Sequence, residues 1–217
     1  MRRRRRRSYD SADRRGAGLS ARADLIAILQ LAHSGELAAA FAYRGHWKSL
    51  ATGEARARIR QIEEEEWHHR RQVREMLREL GEEPPRFREA RAWLIGRTLG
   101  LLCHVSGWLA PMYGAGRLES RNVREYEAAA RHARDCGRHE WVDCLLTMAE
   151  VEWEHEAFFR ARVRSHRIGR RLPMWVAPPA KAEIRRTFDA ESGRIEDPSL
   201  RRVGVVDEDR DLQEAAP

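Results

Sequence analysis

The sequence predicts an all-α protein: an antiparallel four-helix bundle with an additional apolar helix between helices two and three. Three observations predict it. Four long segments repeat apolar residues at helical spacing. Gly and Pro gather between those segments rather than within them. Each segment also sets a glutamate on its apolar stripe, which asks for four helices around one point. At 217 residues the chain can bury a core as a single domain.

Residues 1–20 read as a disordered basic arm. The formal charge is +7, of which Arg2 to Arg7 supply six, so the remainder of the chain is nearly neutral at +1. Such an arm could touch nucleic acid or anionic lipid. A solvated tail is the plainer reading, and no nucleic acid partner is expected. Arg7 is followed by polar residues rather than an apolar run, so the arm does not read as a secretory leader.

Helix one is expected over 21–51, broken by Thr52-Gly53. Helix two is expected over 54–80, closed by Gly81 with Pro84-Pro85 beyond it. The stretch 92–113 reads as the most apolar of the chain. Arg97, His104 and Pro111 argue against a membrane span there. Core packing, an interfacial helix that dips into a bilayer, and an entrance for an apolar substrate all stay open. Helix three then runs to about 136, Gly137 breaks it, and helix four covers 139–167. The bundle is therefore bounded at 21–168. Residues 169–217 read as a polar C-terminal tail with one short helix and then disorder. Cys103, Cys136 and Cys144 form no Cys-x-x-Cys pair and read as reduced, mostly core thiols of a cytoplasmic protein.

The stripes carry the chemistry. Helix one reads Leu25, Leu29, Ala32, Glu36, Ala39, Tyr43, His46. Helix two reads Ile59, Ile62, Glu66, His69, Val73. Helix three reads Met112, Gly116, Glu119, Val123, Tyr126. Helix four reads Leu145, Met148, Glu152, His155, Phe159. Glu66–His69 and Glu152–His155 are Glu-x-x-His pairs, whose spacing places carboxylate and imidazole one turn apart on one helix face. Buried unpaired carboxylates are costly, and metal cations are an economical counter-charge. The heights agree as well. Glu36 lies 16 residues before Thr52, and His69 lies 16 after Gly53; Glu119 lies 18 before Gly137, and His155 lies 18 after it. Each lone Glu thus comes level with its hairpin partner's pair. The expected metal ligands are Glu36, Glu66, His69, Glu119, Glu152 and His155, the ligand set of a dinuclear carboxylate bundle.

Other residues weigh less. Glu65 and His68 make an overlapping Glu-x-x-His off the stripe and read as a solvated or outer pair, and the run Glu63 to Glu66 would otherwise read as a solvent face. Tyr43 and Tyr126 each lie seven residues after a lone Glu. They read either as core aromatics or as phenols that hydrogen-bond or redox-couple near the metals. His33 and His46 read as satisfied structural histidines, and His104 is given no role.

These residues resemble a known family. Gly35-Glu36 with Tyr43, Glu66-Trp-His-His69 followed by a Pro pair, the Gly-rich apolar run leading to Glu119 and Tyr126, and Glu152-Trp-Glu-His155 are similar to the four helices of the demethoxyubiquinone hydroxylases. These are ferritin-like di-iron monooxygenases of ubiquinone biosynthesis. The resemblance covers about residues 24–165. It implies two iron ions (manganese as the alternative), O2, a quinone-like or other apolar ring substrate, an electron donor, and a place in the cytoplasm, peripheral at the inner face of the membrane. A homo-oligomer is compatible with it. Two departures stand out. The family has His-Tyr where this chain has Glu125-Tyr126, and a second Glu where this chain has Ser120. The His is tied to reduction by nicotinamide, so a different reductant is expected here. Two other classes fit part of the pattern: a ferritin- or rubrerythrin-like iron-handling or peroxide-reducing protein, and a metal-free helical interaction module.

Overall fold

A computed structural model describes the backbone of residues 2–196 and the side chains of residues 16–193. The fold is the expected all-α, antiparallel ferritin-like bundle, with no strand among the described residues. Helix α1 spans Arg2–Ser49, α2 Glu54–Glu79, α3 Arg86–Leu102, α4 Leu109–Asp135, α5 Val142–Ser165 and α6 Lys181–Glu196. α1 with α2, and α4 with α5, are the two hairpins. α3 is the extra apolar helix and lies along α1, which also packs on α4.

Two glycines set the shared end of the bundle. Gly81 and Gly137 have φ of 74° and 83°, a left-handed conformation that costs glycine little. Behind each, the next amide reaches back five residues, Glu82 to the Leu77 carbonyl and Arg138 to the Ala133 carbonyl. This caps the last turn of α2 and of α4.

The core falls into two apolar layers. One, near Gly81 and Gly137, holds Leu25, Leu29, Val73, Leu77, Ala130 and Leu145. The other, toward the α1–α2 turn, holds Ile59, Ile62, Met112 and Phe159. The polar site lies between them.

α3 touches α1 through small residues: a Cβ on Gly45 would stand 2.2 Å from the backbone of Gly100, and one on Gly96 would stand 2.5 Å from the Ala38 carbonyl oxygen. The opposite face of α3 is exposed and apolar, including Phe87, Trp93, Leu94 and Leu101. The segment Gly16–Ser49 of α1 is long and apolar enough to cross a membrane by length and composition alone, and half of that apolar window is buried in the bundle.

Three expectations need correction. The arm 1–20 was expected to be disordered, but α1 starts at Arg2. Arginine is a good helix former, and no Pro interrupts the segment. The segment 169–217 was expected to be a polar tail, yet residues 173–180 strap across α4 and α5. Tyr113 donates to the Pro173 carbonyl (2.6 Å), Ser120 to the Val176 carbonyl (2.6 Å) and Trp153 to the Pro179 carbonyl (2.8 Å). α6 then buries Ile184 and Phe188, one turn apart, in the core. Two large apolar residues one turn apart in an otherwise mostly polar helix are a weak signal in sequence, and the Pro-rich strap hid it; the expected disorder past 196 lies outside the described residues. The three cysteines are free, as expected, but only part-buried.

Candidate metal centre

Each predicted ligand is placed by its helix stripe. Glu36, Glu66, His69, Glu119, Glu152 and His155 are all buried, and the structure brings them together. Ligand atoms of Glu36, Glu66, His69 and Glu152 lie within 4.8 Å of one another, and so do those of Glu66, Glu119, Glu152 and His155. Glu66 and Glu152 belong to both groups and sit between the other two pairs.

The ligand atoms approach without pairing. His69 Nδ1 is 2.9 Å from Glu152 Oε1, and His155 Nδ1 is 3.3 Å from Glu66 Oε1. Yet Glu36 Oε2, both Glu66 oxygens, Glu152 Oε1, His69 Nδ1 and His155 Nδ1 all lack an aligned hydrogen bond. Buried polar atoms are almost always paired. Six in one place, converging on common points rather than on each other, fit coordination of a cation better than a hydrogen-bond network.

The tyrosines form a cross-brace. The Tyr126 hydroxyl donates to Glu36 Oε1, and the Tyr43 hydroxyl donates to Glu119 Oε1. Each helix of the α1–α4 pair thus secures the lone glutamate of the other. Burial, then the nearby carboxylates, push both phenols well above their usual range, so they stay protonated donors.

Without a cation the cluster is electrostatically strained. Burial and neighbouring carboxylates push Glu66 and Glu119 well above the usual carboxylate range, and burial raises Glu36. Burial opposes ionisation of Glu152 too, but its imidazole contacts hold it well below that range. Burial likewise opposes protonation of the imidazoles, but Glu152 raises His69, and Glu152 with Glu65 raises His155 to about 9. Four carboxyls and two imidazoles are thus sharing protons in place of counter-charge.

Sequence reasoning missed three supports. Glu65 is not paired with His68, which is exposed. It faces His155 Nε2 at 2.7 Å and accepts from Arg58 at 3.0 Å. Burial opposes its ionisation, yet these partners hold it down at about 2. Of the two readings given to Glu65, solvated or outer, the structure fits the outer one, with His155 rather than His68 as its partner. Asn122, one turn after Glu119, donates to Glu119 Oε2 at 3.0 Å and lies 3.5 Å from Glu152 Oε2. Glu63, in a run read as a solvent face, is buried and accepts from Arg44 and Trp47, both at 2.7 Å. Only Glu64 of that run is exposed.

His33 behaves as a structural histidine, 3.0 Å from Glu89 Oε1 and held with Arg70. The Nε2 atoms of both His33 and His46 have no hydrogen-bond partner; His46 differs in lining the cavity described next.

Beside the cluster, a cavity of about 610 Å³ runs between α1, α3 and α4. Its wall is mostly aliphatic, with Ile95, Leu99 and Leu102 from α3, and it reaches Glu36, Tyr43 and Tyr126. Glu119 and both histidine ligands lie off this wall. At the polar edge Arg121 Nε donates to Glu125 at 2.7 Å.

The family comparison meets this geometry. A model described as ubiquinone biosynthesis protein COQ7 matches residues 23–121, which hold Glu36, Glu66, His69 and Glu119. No curated protein and no solved structure matches the chain. Over residues 23–121 the chain resembles the COQ7 family of ubiquinone biosynthesis proteins.

Proposed function

We propose that this protein is a di-iron monooxygenase that uses O2 to hydroxylate a quinone-like or other apolar ring in ubiquinone biosynthesis. The observation that carries the reading is a junction: six buried ligand-type side chains, five of them with unpaired atoms, meet an apolar cavity at Glu36. The donor set fits two ions. Four carboxylates would neutralise two divalent cations, and carboxylate-rich ligation with two imidazoles suits redox-active iron, with manganese as the alternative. Glu66 and Glu152 would bridge, His69 and His155 would each hold one ion, and Glu36 and Glu119 would be terminal ligands. Bound iron would supply the redox chemistry that activates O2. One oxygen atom would enter a ring C–H bond and the other would leave as water, with two electrons and two protons supplied by a donor.

The chain's own groups set the conditions for that chemistry. Tyr43 and Tyr126 orient the terminal carboxylates. Glu36, with one hydroxyl partner and a place on the cavity wall, has room to move, while Asn122 steadies Glu119. Ile95, Leu99 and Leu118 give the space a ring would fill an apolar wall. The apolar face of α3 would meet the lipid that carries the substrate, with the protein peripheral at the inner face of a membrane. Glu125 pairs with Arg121 where the resembled family has His, so a protein or chemical reductant is expected rather than NADH acting directly.

The test is single-turnover chemistry. Iron-loaded protein, chemically reduced, meets O2 and a short-chain 1,4-benzoquinone with one unsubstituted ring position. The expected product is heavier by one oxygen atom, and Glu66→Ala abolishes it. Fast peroxide consumption or bulk iron mineralisation, with no hydroxylated product, would move the protein to the ferritin and rubrerythrin class. Fast turnover with NADH alone would overturn the reading of Glu125.

A further inference from the structure

The polar groups on the cavity wall are mostly engaged. Tyr43, Tyr126 and Asn122 hold carboxylates, and Arg121 pairs with Glu125. Glu36 Oε2 and His46 Nε2 are the exceptions, and of the two only His46 stands outside the ligand cluster. It lines the cavity, is 2% exposed, and its Nε2 has no hydrogen-bond partner. Its ring is fixed by packing: it stacks on Phe159, with centroids 6.3 Å apart and planes 15° from parallel. Tyr43 stacks on the same Phe159 at 5.6 Å. One turn of α1, about 4.5 Å of rise, separates His46 from Tyr43. The His46 imidazole therefore lies one turn beyond the phenol that holds Glu119, in a residue that lines a mostly apolar wall.

An imidazole nitrogen left unpaired in such a wall is costly. A leucine there would fill the space without that cost. Burial holds the His46 imidazole down at about 4. At neutral pH the ring is uncharged and offers one donor and one acceptor nitrogen.

We infer that His46 Nε2 is the hydrogen-bonding contact for a ring oxygen, carbonyl or hydroxyl, of the molecule that fills the cavity. His46 would then orient that ring along the wall, with the ring's other edge toward Glu36 and Tyr126. The inference rests on the proposal that the cavity takes a ring substrate, and it adds which chain group reads the ring's oxygen. A site built to hydrogen-bond an oxygen discriminates against the analogue that lacks it.

The test uses the full-length protein as purified and isothermal titration calorimetry, so it does not depend on turnover. Three probes carry the same alkyl chain: a 1,4-benzoquinone, its hydroquinone and the plain alkylbenzene. His46→Leu and His46→Phe remove the nitrogen, and the second keeps a ring on Phe159. His46→Gln keeps a donor and an acceptor. The expected result is about a tenfold loss for an oxygenated probe in the Leu and Phe variants, an unchanged alkylbenzene, and partial rescue by Gln. Loss confined to the quinone makes Nε2 a donor; loss confined to the hydroquinone makes it an acceptor. Equal loss for all three probes, or no loss for either oxygenated probe, would overturn the inference and leave the cavity reading standing. If wild type binds none of them, the ring-substrate reading and this inference fall together.

Discussion

The two halves of the site are built from the same sequence pattern but are supported differently. The α1–α2 half offers Glu36, Glu66 and His69; the α4–α5 half offers Glu119, Glu152 and His155. The second half is braced. Glu65 and Arg58 stand behind His155, Asn122 holds Glu119, and the 173–180 strap ties down Ser120 beside it. A Cβ on Gly116 would come within 2.3 Å of the strap's Trp175 ring, so the strap sits hard against α4. The first half is open. Glu36 has one hydroxyl partner and forms part of the cavity wall beneath α3. A rigid half and a yielding half would let one ion position stay fixed while the carboxylate nearer the cavity adapts to what enters it.

The largest effects should come from the residues the halves share. Glu66→Ala and Glu152→Ala should each lose both metals, measured as metal per chain after purification, because each residue belongs to both ligand groups. Glu36→Ala should lose one metal and keep the other. Loss of both ions in Glu36→Ala would mean the halves are not separable.

Stability of the metal-free protein against pH is the next test. His155 is raised from 6.5 to about 9, so its stabilisation is present below 6.5 and lost as pH rises through about 9. That amounts to about 3 kcal/mol. Glu36, Glu66 and Glu119 are raised as well, so their cost also grows as pH climbs above the ordinary carboxylate range. The two trends share a sign. Denaturant midpoints of metal-free protein should fall between pH 7 and pH 10, while those of loaded protein should stay nearly flat, because a cation replaces the protons. A flat profile without metal would show that the cluster does not trap protons.

A smaller effect separates the halves directly. Glu65→Ala should weaken the second-half ion by about 10–100-fold, as loss of an outer carboxylate behind a ligating histidine commonly does. His68→Ala, at an exposed neighbour, should change nothing. The readout is competition with a chelator at fixed pH. Equal affinity in both variants would remove the claim that the α4–α5 half is the braced one.

Much of this was legible in the sequence, for a definite reason. A carboxylate on an apolar stripe contradicts the pattern around it, and Glu36, Glu66, Glu119 and Glu152 each stood out that way. Heights counted from Gly53 and Gly137 then brought them level, because helical rise is uniform. What sequence missed lies where periodicity carries no contradiction. Glu65 and Asn122 are polar residues at positions where polar residues are ordinary, and only the neighbouring helix reveals that they face inward. The Ile184–Phe188 pair is too short a stripe to tell from chance. His33 and His46 differ from expectation for the opposite reason: a histidine in a core is normally fully paired, and an unpartnered Nε2 in each is a fact of three-dimensional structure.

The smallest effect on the fold, and the one that extends the comparison outward, concerns α3. It borders only the open half, and its outer face is apolar: Leu101 is 72% exposed and Trp93 is 45% exposed. Leu101→Glu should therefore cost little stability. Trp93→Glu should cost somewhat more, because Trp93 also meets the Phe41 ring at 6.5 Å and lies 5.2 Å from the Arg97 guanidinium. If this face brings the cavity to a membrane, wild type should sediment with anionic liposomes and the double variant should not. Hydroxylation of a long-chain quinone held in those liposomes should fall several-fold in the variant, while a short-chain soluble quinone should react as before. Equal sedimentation of both proteins would leave α3 as a cavity wall only. Equal loss for both quinones would mean that the substitutions deform the cavity itself, through Ile95 and Leu99 on the wall beside them.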